Sequence, residues 1–420
     1  MWLGAAENKN LSAALLLDLS AAFDIVDHSI FLKKLKAYKF SESTILWFES
    51  YLKDRVQVVQ VDTKFSDAED LGDFAVPQGS ILGPLIFLIF NNDFPASSVE
   101  GDSVIYADDD TDTVKAKDVD ELQAKIQREA DRSTEWVNDN RMVCSGSKTK
   151  LLLIGTQQLK QSKLNPVSPK IEINVCGETV RDSKSERLLG LTVNNTMTWS
   201  EYLYGEKWRT ENNSTGLIPQ LNQRVGLLSR FVHLMPSEKF KLFCNGLFNS
   251  KLIYCLQVFS HVWDIPNMDL EQQRFTAFTR GDNRRLQVLQ NKVLRLKSQL
   301  ALGTPTETLL QVTGDLSVQQ LTAFSTLTMA QRAISEQRPT YLANKLCLRS
   351  SNNYPALSAR RKENTLSIQS HLSISRGGFF CRASALYNQL PPDLRAPMKP
   401  IIFKKRVKKW VKENIAARPG

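Results

Sequence analysis

The sequence predicts an α+β fold, an antiparallel sheet with helices on one face, followed by a mainly helical region. Two observations carry this expectation. Short apolar runs of strand length alternate with segments of helical spacing over residues 1–156. From about Leu217 onward the apolar residues recur at helical spacing with few strand signals.

Leu11–Ser20 is an apolar run holding a carboxylate near its end, and it reads as a buried strand. Two helical segments follow, at about Asp27–Tyr38 and Ser41–Lys53. The second opens on Ser41, Glu42, Ser43 and Thr44, which suit a helix start, and Asp27 is placed to cap the first. Val56–Thr63 alternates and is rich in valine, so it reads as a strand. Val76–Asp93 is a turn that runs into an apolar helix. Asp102–Ala116 is a strand, an acidic turn and a second strand. Val119, Leu122, Ile126, Ala130, Ser133 and Trp136/Val137 step by three or four, an amphipathic helix. Lys148–Thr156 is a further strand. A shorter β section follows at Ile171–Val180 and Leu188–Val193. A Pro/Ser/Asn-rich break lies at Ser350–Pro355.

The chain has 420 residues, 42% of them hydrophobic, enough for two or three domains. The longest apolar stretch, Ile81–Phe90, is too short to span a bilayer and contains Gly-Pro, so no membrane partner is expected. The start has no basic segment leading into an apolar block, so no secretory signal is read. Six scattered cysteines and four histidines form no CxxC pair, which argues against a zinc site or a disulfide framework and for reduced thiols in a cytoplasmic or nuclear protein. The net charge of +10 is unevenly spread. Residues 1–150 hold 16 Lys and Arg against 26 Asp and Glu, a net of −10; residues 151–420 hold 38 against 18, a net of +20. Cations suit the first half and polyphosphate the second.

Asp18 ends one apolar strand, and Asp108 and Asp109 sit at the tip of another. Carboxylates at the ends of neighbouring buried strands can converge, at an electrostatic cost that divalent cations remove. Two Mg²⁺ ions held by shared carboxylates can sharpen a 3′-hydroxyl nucleophile and steady a pyrophosphate leaving group. Taken alone, the acidic triplet is equally well an ordinary β-turn.

The companions of these residues weaken that alternative. Asp18 to Phe23 and Asp24 resembles motif A of reverse transcriptases. Pro77-Gln78-Gly79-Ser80 followed by Ile-Leu-Gly-Pro resembles motif B, and Tyr106-Ala107-Asp108-Asp109 resembles motif C. Trp136-Val137-Asn138 with Lys148-Thr149 resembles motif D, and Leu188-Leu189-Gly190-Leu191 resembles motif E. The segment Trp47–Gln57, and Leu289–Leu296 and Phe379–Arg395 far downstream, resemble LINE-type (non-LTR) retrotransposon enzymes of the Jockey-like branch. The ordered set is specific where any one member is not.

The resemblance implies a polymerase right hand: a palm with motifs A to D over residues 1–156, a motif E primer-grip hairpin region over 157–200, a helical thumb over 201–300 and a helical, basic C-terminal region over 301–420. It implies an RNA-directed DNA polymerase with RNA template, DNA primer and dNTPs as partners. Its cofactors would be two Mg²⁺ ions, with Mn²⁺ as a substitute. Asp18, Asp108 and Asp109 would ligate the metals. Phe23 matches a steric gate that excludes a 2′-hydroxyl, though a core aromatic would also fit. Gln78 and Gly79 match the turn that meets the incoming nucleotide and template, and Gly79 allows close backbone approach. Lys148 matches a lysine that could protonate the leaving pyrophosphate, beside the plain reading of a solvated loop lysine. Asp24, Asp27, Asp110 and Asp112 are left outside the metal shell, the last two on the hairpin flank. Trp199 also resembles a family position, without a catalytic role.

Arg284, Arg285, Lys292, Arg295 and Lys297 lie along one helical segment whose Leu286, Leu289, Val293 and Leu296 mark a different face. Lys404, Lys405, Arg406, Lys408, Lys409 and Lys412 surround Trp410, with the composition of a nuclear import signal. Both are candidates for phosphate contacts, or solvated helix faces. The sequence departs from the family in two ways. Only seventeen residues precede Asp18, so the fingers are largely missing and no endonuclease is seen, which leads to the expectation of a truncated chain that polymerises weakly or not at all. Cys144–Lys148 also differs where many relatives carry an acidic residue or Asn. A catalytically inactive nucleic-acid-binding remnant is the alternative function. An RNA-templated RNA polymerase fits less well, because Ala107 stands where those enzymes carry Gly and Phe23 suits deoxyribonucleotides. Oligomeric state is not legible.

Overall fold

Leu11–Asp18 (β1) is the strand on which the first half is built. Leu11, Ala13, Ala14 and Leu15 are fully buried, and Ser12 nearly so, which is why the run is apolar without alternation. The computed structural model describes residues 2–163, 171–205, 215–263, 278–346, 365–366 and 378–417. Around β1 lie Asp102–Tyr106 (β2), Asp109–Ala116 (β3), Lys150–Ile154 (β4), Glu172–Val175 (β5) and Glu178–Ser183 (β6), in the order β2-β3-β1-β4-β6-β5. The sheet is not wholly antiparallel, as expected from sequence, but mixed. Leu151 and Leu152 of β4 pair in parallel with Asp182 and Ser183 of β6, because the β5–β6 hairpin joins the edge as a unit after a long crossover.

His28–Ala37 (α1), Glu42–Leu52 (α2), Gly83–Phe90 (α3) and Val119–Asp139 (α4) cover one face. Leu11, Ala13, Leu15 and Leu17 meet Phe31, Phe48, Ile86, Phe87, Leu122 and Ile126 there. Asp27 caps α1 by accepting from the Ile30 N–H at 3.0 Å, and Ser41 caps α2. The same core takes in Ile171, Ile173, Val175 and Val180, so it extends past residue 156. Helices are not confined to that face. The short Trp2–Glu7 helix reaches the other side, where Trp2 packs with Ala14, Leu152 and Ile154. Toward Asp18 this second face opens, and Val104 and Tyr106 are 58% and 67% exposed.

The predicted strand at Val56–Thr63 is only a pair of two-residue ladders, Val56–Gln57 with Glu69–Asp70 and Gln60–Val61 with Lys64–Phe65. Alternation favours a strand when one face has a core to enter. Here Val56, Val58, Val59 and Val61 are all exposed, so nothing extends the pairing.

Ser185–Leu188 (β7) and Leu191–Asn194 (β8) form a separate hairpin whose Leu191 enters a second core, with Leu221, Phe240, Phe248, Leu256, Phe259 and Leu286. Leu217–Phe231 (α5) and Arg280–Ser298 (α6) frame it. Val318–Glu336 (α7), Phe379–Gln389 (α8) and Pro400–Asn414 (α9) enclose a third core, including Leu327, Leu386, Tyr387, Phe403 and Val407. The break read at Ser350–Pro355 lies outside the described residues. No helix among the described residues is long and apolar enough to cross a membrane.

Leu15 touches core on a strand that two neighbours lock in place. Leu15→Ala is expected to lower stability by about 2–5 kcal/mol in chemical denaturation, through reduced burial and an unfilled cavity.

Candidate active site

Strand register brings the predicted carboxylates together. Asp18 closes β1 directly opposite Asp109, the first residue of β3. Asp109 in turn faces Tyr106 across a two-residue turn, in which Ala107 takes a left-handed conformation, φ 57°. Asp108 therefore stands at the hairpin tip beside the Asp18–Asp109 pair. The Asp109 carboxyl lies above the ordinary carboxylate range, first through burial and then through repulsion by Asp108 and Asp18. That crowding of negative charge at the open end of the sheet suits hard cations with oxygen ligands. Among the described residues no three acidic, His or Cys side chains form a ready-made metal cage. This is compatible with Mg²⁺, which commonly takes one or two carboxylates and completes its shell with water and substrate phosphate.

The loop before β4 is strapped onto the end of β1. The Ser20 N–H donates to the Val143 carbonyl at 2.8 Å, and the Ser145 N–H to the Asp18 carbonyl at 3.0 Å. The Asp18 N–H donates to the buried Thr149 hydroxyl at 3.4 Å. Lys148 is thereby held with its Nζ 3.8 Å from the Asp18 carboxylate, both side chains open to solvent.

The Phe23–Val26 segment and the stretch leading to Gln78 are also stitched together. The Val76 N–H donates to the Phe23 carbonyl at 2.8 Å, and the Ala75 N–H to the Val26 carbonyl at 3.1 Å. The half-buried Phe23 ring stacks on Phe87 of α3, with centroids 4.5 Å apart and planes at 20°. Exposed Gln78 donates to the Asp24 carboxylate at 2.8 Å, which gives Asp24 a loop-orienting contact. Gly79 adopts φ 82° with nothing within 4 Å of where a Cβ would stand, so backbone conformation, not space, selects glycine there.

Asp110 and Asp112 lie on the β3 flank of the hairpin, as the sequence suggested, but on its buried face. They are 3% and 1% exposed and point into the core beneath α4. Arg132 of α4 meets Asp112 at 2.5 Å and the fully buried Glu129 at 3.2 Å. Sequence reasoning missed Glu129 and Arg132 altogether. The available signal was that both fall on the apolar stripe of α4, one position from Ala130 and Ser133. Burial, and repulsion by Asp112, push Asp110 up to about 8.

The basic candidates separate by exposure. Arg284, Arg285 and Lys292 of α6 face solvent, Arg285 over the Tyr204 ring at 5.0 Å. Lys297 does not belong with them. Its side chain is 5% exposed and pairs with Asp315 at 3.0 Å, because the helical spacing turns it toward the core. Arg295 is likewise half-buried and donates to the Thr304 carbonyl at 3.2 Å. On α9, Lys404, Lys405, Arg406, Lys408, Lys409 and Lys412 are exposed while Phe403, Val407 and Val411 are buried.

Over residues 3–193 the chain matches the family described as reverse transcriptase (RNA-dependent DNA polymerase). Its relatives are RNA-directed DNA polymerases of LINE-type, non-LTR retrotransposons. It is 26% identical over 262 residues to the RNA-directed DNA polymerase from mobile element jockey of Drosophila melanogaster, covering 60% of this chain and 26% of that protein. It is 32% identical over 141 residues to the jockey polymerase of Drosophila funebris, covering 32% of this chain and 15% of that one. Over 298 residues it is 26% identical to the probable RNA-directed DNA polymerase from transposon X-element of Drosophila melanogaster, covering 70% of this chain and 29% of the relative. The matched segments are thus under a third of each relative. Among solved structures it is similar to telomerase from Candida albicans in complex with a fragment of telomeric RNA, at 12% identity and a TM-score of 0.27, covering 79% of this chain and 48% of that one, a likeness too loose to build on.

A carboxyl group held near 8 when folded and at 3.8 in the reference state favours folding most at low pH. Its contribution declines between those two values, as the unfolded chain releases the proton and the folded chain keeps it. Asp110→Asn removes this decline, so melting curves should show it raising Tm more at pH 8 than at pH 5.

Proposed function

We propose that this chain carries the polymerising centre of an RNA-directed DNA polymerase, joining dNTPs to a primer 3′-hydroxyl on an RNA template. The observation that carries the reading is the placement of Asp18 opposite Asp109, with Asp108 at the adjoining tip, at the exposed end of an otherwise covered sheet. In this reading the sheet and its bordering loops are the palm and the 185–194 hairpin the primer grip. The helices from Leu217 onward form the thumb and C-terminal region.

Asp18, Asp108 and Asp109 are the residues that would hold divalent cations. Two Mg²⁺ ions bound there, or Mn²⁺ in their place, would ease deprotonation of the 3′-hydroxyl and neutralise charge on the pyrophosphate leaving group. The other roles fall to the protein. Phe23, braced by Phe87, presents a ring edge that would exclude a ribose 2′-hydroxyl. Gln78, oriented by Asp24, and the Gly79 backbone would line the nucleotide and template side. Lys148, near Asp18 yet free to move in solvent, would donate a proton to the departing pyrophosphate. The exposed cations of α6 and α9 would meet nucleic-acid phosphates, with Arg295 and Lys297 excluded by their inward contacts.

The second reading, nucleic-acid binding without catalysis, is favoured by one observation. The exposed cations of α6 and α9 lie on faces that involve none of the three carboxylates. The readings separate in one experiment on a primed RNA template. Asp108→Asn should cut Mg²⁺-dependent dNTP incorporation by at least about a hundredfold. Incorporation that persists unchanged rejects the assigned site, and absence of incorporation in the unaltered chain with binding intact favours the second reading. Replacing Lys404, Lys405, Lys408 and Lys409 with Gln should weaken RNA binding. It should also flatten the dependence on log salt by about 0.7 for each phosphate of single-stranded RNA no longer neutralised. An unchanged slope would remove α9 from the nucleic-acid surface.

A further inference from the structure

The β2–β3 hairpin is gripped at its base by charges buried under α4. The Glu129 carboxylate, fully buried, accepts from the Val99 and Glu100 N–H groups at 2.9 and 2.5 Å and from the Ser98 hydroxyl at 3.1 Å, just before β2 begins. One helical turn on, Arg132 donates to the Phe94 carbonyl at 3.1 Å and the Ser97 hydroxyl at 3.0 Å, in the segment after α3. The same guanidinium reaches Asp112 of β3, to which Ser133 donates at 3.0 Å. Ser103 of β2, the register partner of Asp112, donates to Asp110 at 3.1 Å. At the hairpin's base Gly101 lies so close to β3 that a Cβ would stand 2.3 Å from the Thr113 carbonyl.

A buried ion pair adds little net stability over apolar residues of the same volume, so its presence in a core asks for another reason. Register supplies one. Side chains alternate across a strand, and a slip of one residue would turn Asp112 and Asp110 outward. Thr111 and Thr113 would then face α4, leaving Arg132 and Glu129 without Asp112 in the core. The same slip would take Asp109 off the face it shares with Asp18. A buried charge left without its partner adds its own penalty to that of displacing apolar side chains.

We propose that Glu129, Arg132 and Asp112 form a positioning clamp that fixes the register of the hairpin and hence the place of Asp109 opposite Asp18. The link to catalysis rests on the metal-site reading above; the link to register does not. The clamp also ties the segment leaving α3 to the β2–β3 hairpin.

The test replaces both charges in the full chain with Arg132→Leu/Asp112→Leu. The expected result is a chain that still melts cooperatively but exchanges the amides of Asp109–Thr113 at least about tenfold faster. Its affinity for Mn²⁺, read by electron paramagnetic resonance, should fall about tenfold or more. Exchange and Mn²⁺ affinity both within about twofold of the unaltered chain would overturn the clamp. Faster exchange with unchanged Mn²⁺ affinity would overturn its connection to the site. Should the double variant not fold, Glu129→Gln makes the smaller perturbation. It should accelerate exchange in the same five residues ahead of the rest of the sheet, and uniform exchange would count against the proposal. An unaltered chain that binds no Mn²⁺ defeats the metal reading alone, and the exchange data still decide the clamp.

Discussion

The register between β1 and β3 is the constraint on which the site depends. Asp18 and Asp109 are far apart in the chain and become neighbours only because eight consecutive pairs, from Leu11 with Ala116 to Asp18 with Asp109, align without a bulge. Burial of β1 on both faces makes that alignment costly to disturb, since any shift exposes leucine on one side or moves carboxylates inward. The open end of the sheet is therefore where charge can gather, and the covered end provides the rigidity. The Trp2–Glu7 helix contributes to a small cluster on the second face that reaches Leu16, leaving the Asp18 end clear.

Backbone hydrogen bonds then bring the remaining candidates to the same end. The 143–149 loop uses both main-chain groups of Asp18, so Lys148 is placed by the same strand that places the carboxylate. The Phe23 and Val76 pairing does likewise for the turn carrying Gln78 and Gly79. These are side chains on loops held by a scaffold, a common arrangement for reactive groups. Buried Asp27 adds a further tie. Burial opposes its charge, yet bonds from Ser29, Ile30 and Arg141 outweigh this and hold its carboxyl below the usual range.

Much of this was legible in the sequence. The doubly buried strand, the amphipathic α4, the Asp27 and Ser41 caps and the acidic hairpin tip all follow from patterns local to a few residues. What failed needed information from elsewhere in the fold. Val56–Thr63 alternates as a strand should, but no core receives it. Lys297 shares a helix with exposed cations but is turned inward onto Asp315, a partner that lies on a later segment. Asp110 and Asp112 look like continuations of an acidic turn, and nothing adjacent in sequence reveals the guanidinium waiting 20 residues later. The parallel pairing of β4 with β6 is similarly a property of a crossover, which hydrophobic periodicity does not encode.

The valine-bearing ribbon between α2 and α3 has a practical consequence. Its two short ladders offer unpaired strand edges, with Val56, Val58, Val59, Val61 and Phe65 each about half or more exposed. Edges of this composition template pairing between molecules. Self-association of the purified chain would begin on that ribbon while all three cores remain intact, so solubility and thermal stability answer to different residues and can be improved separately.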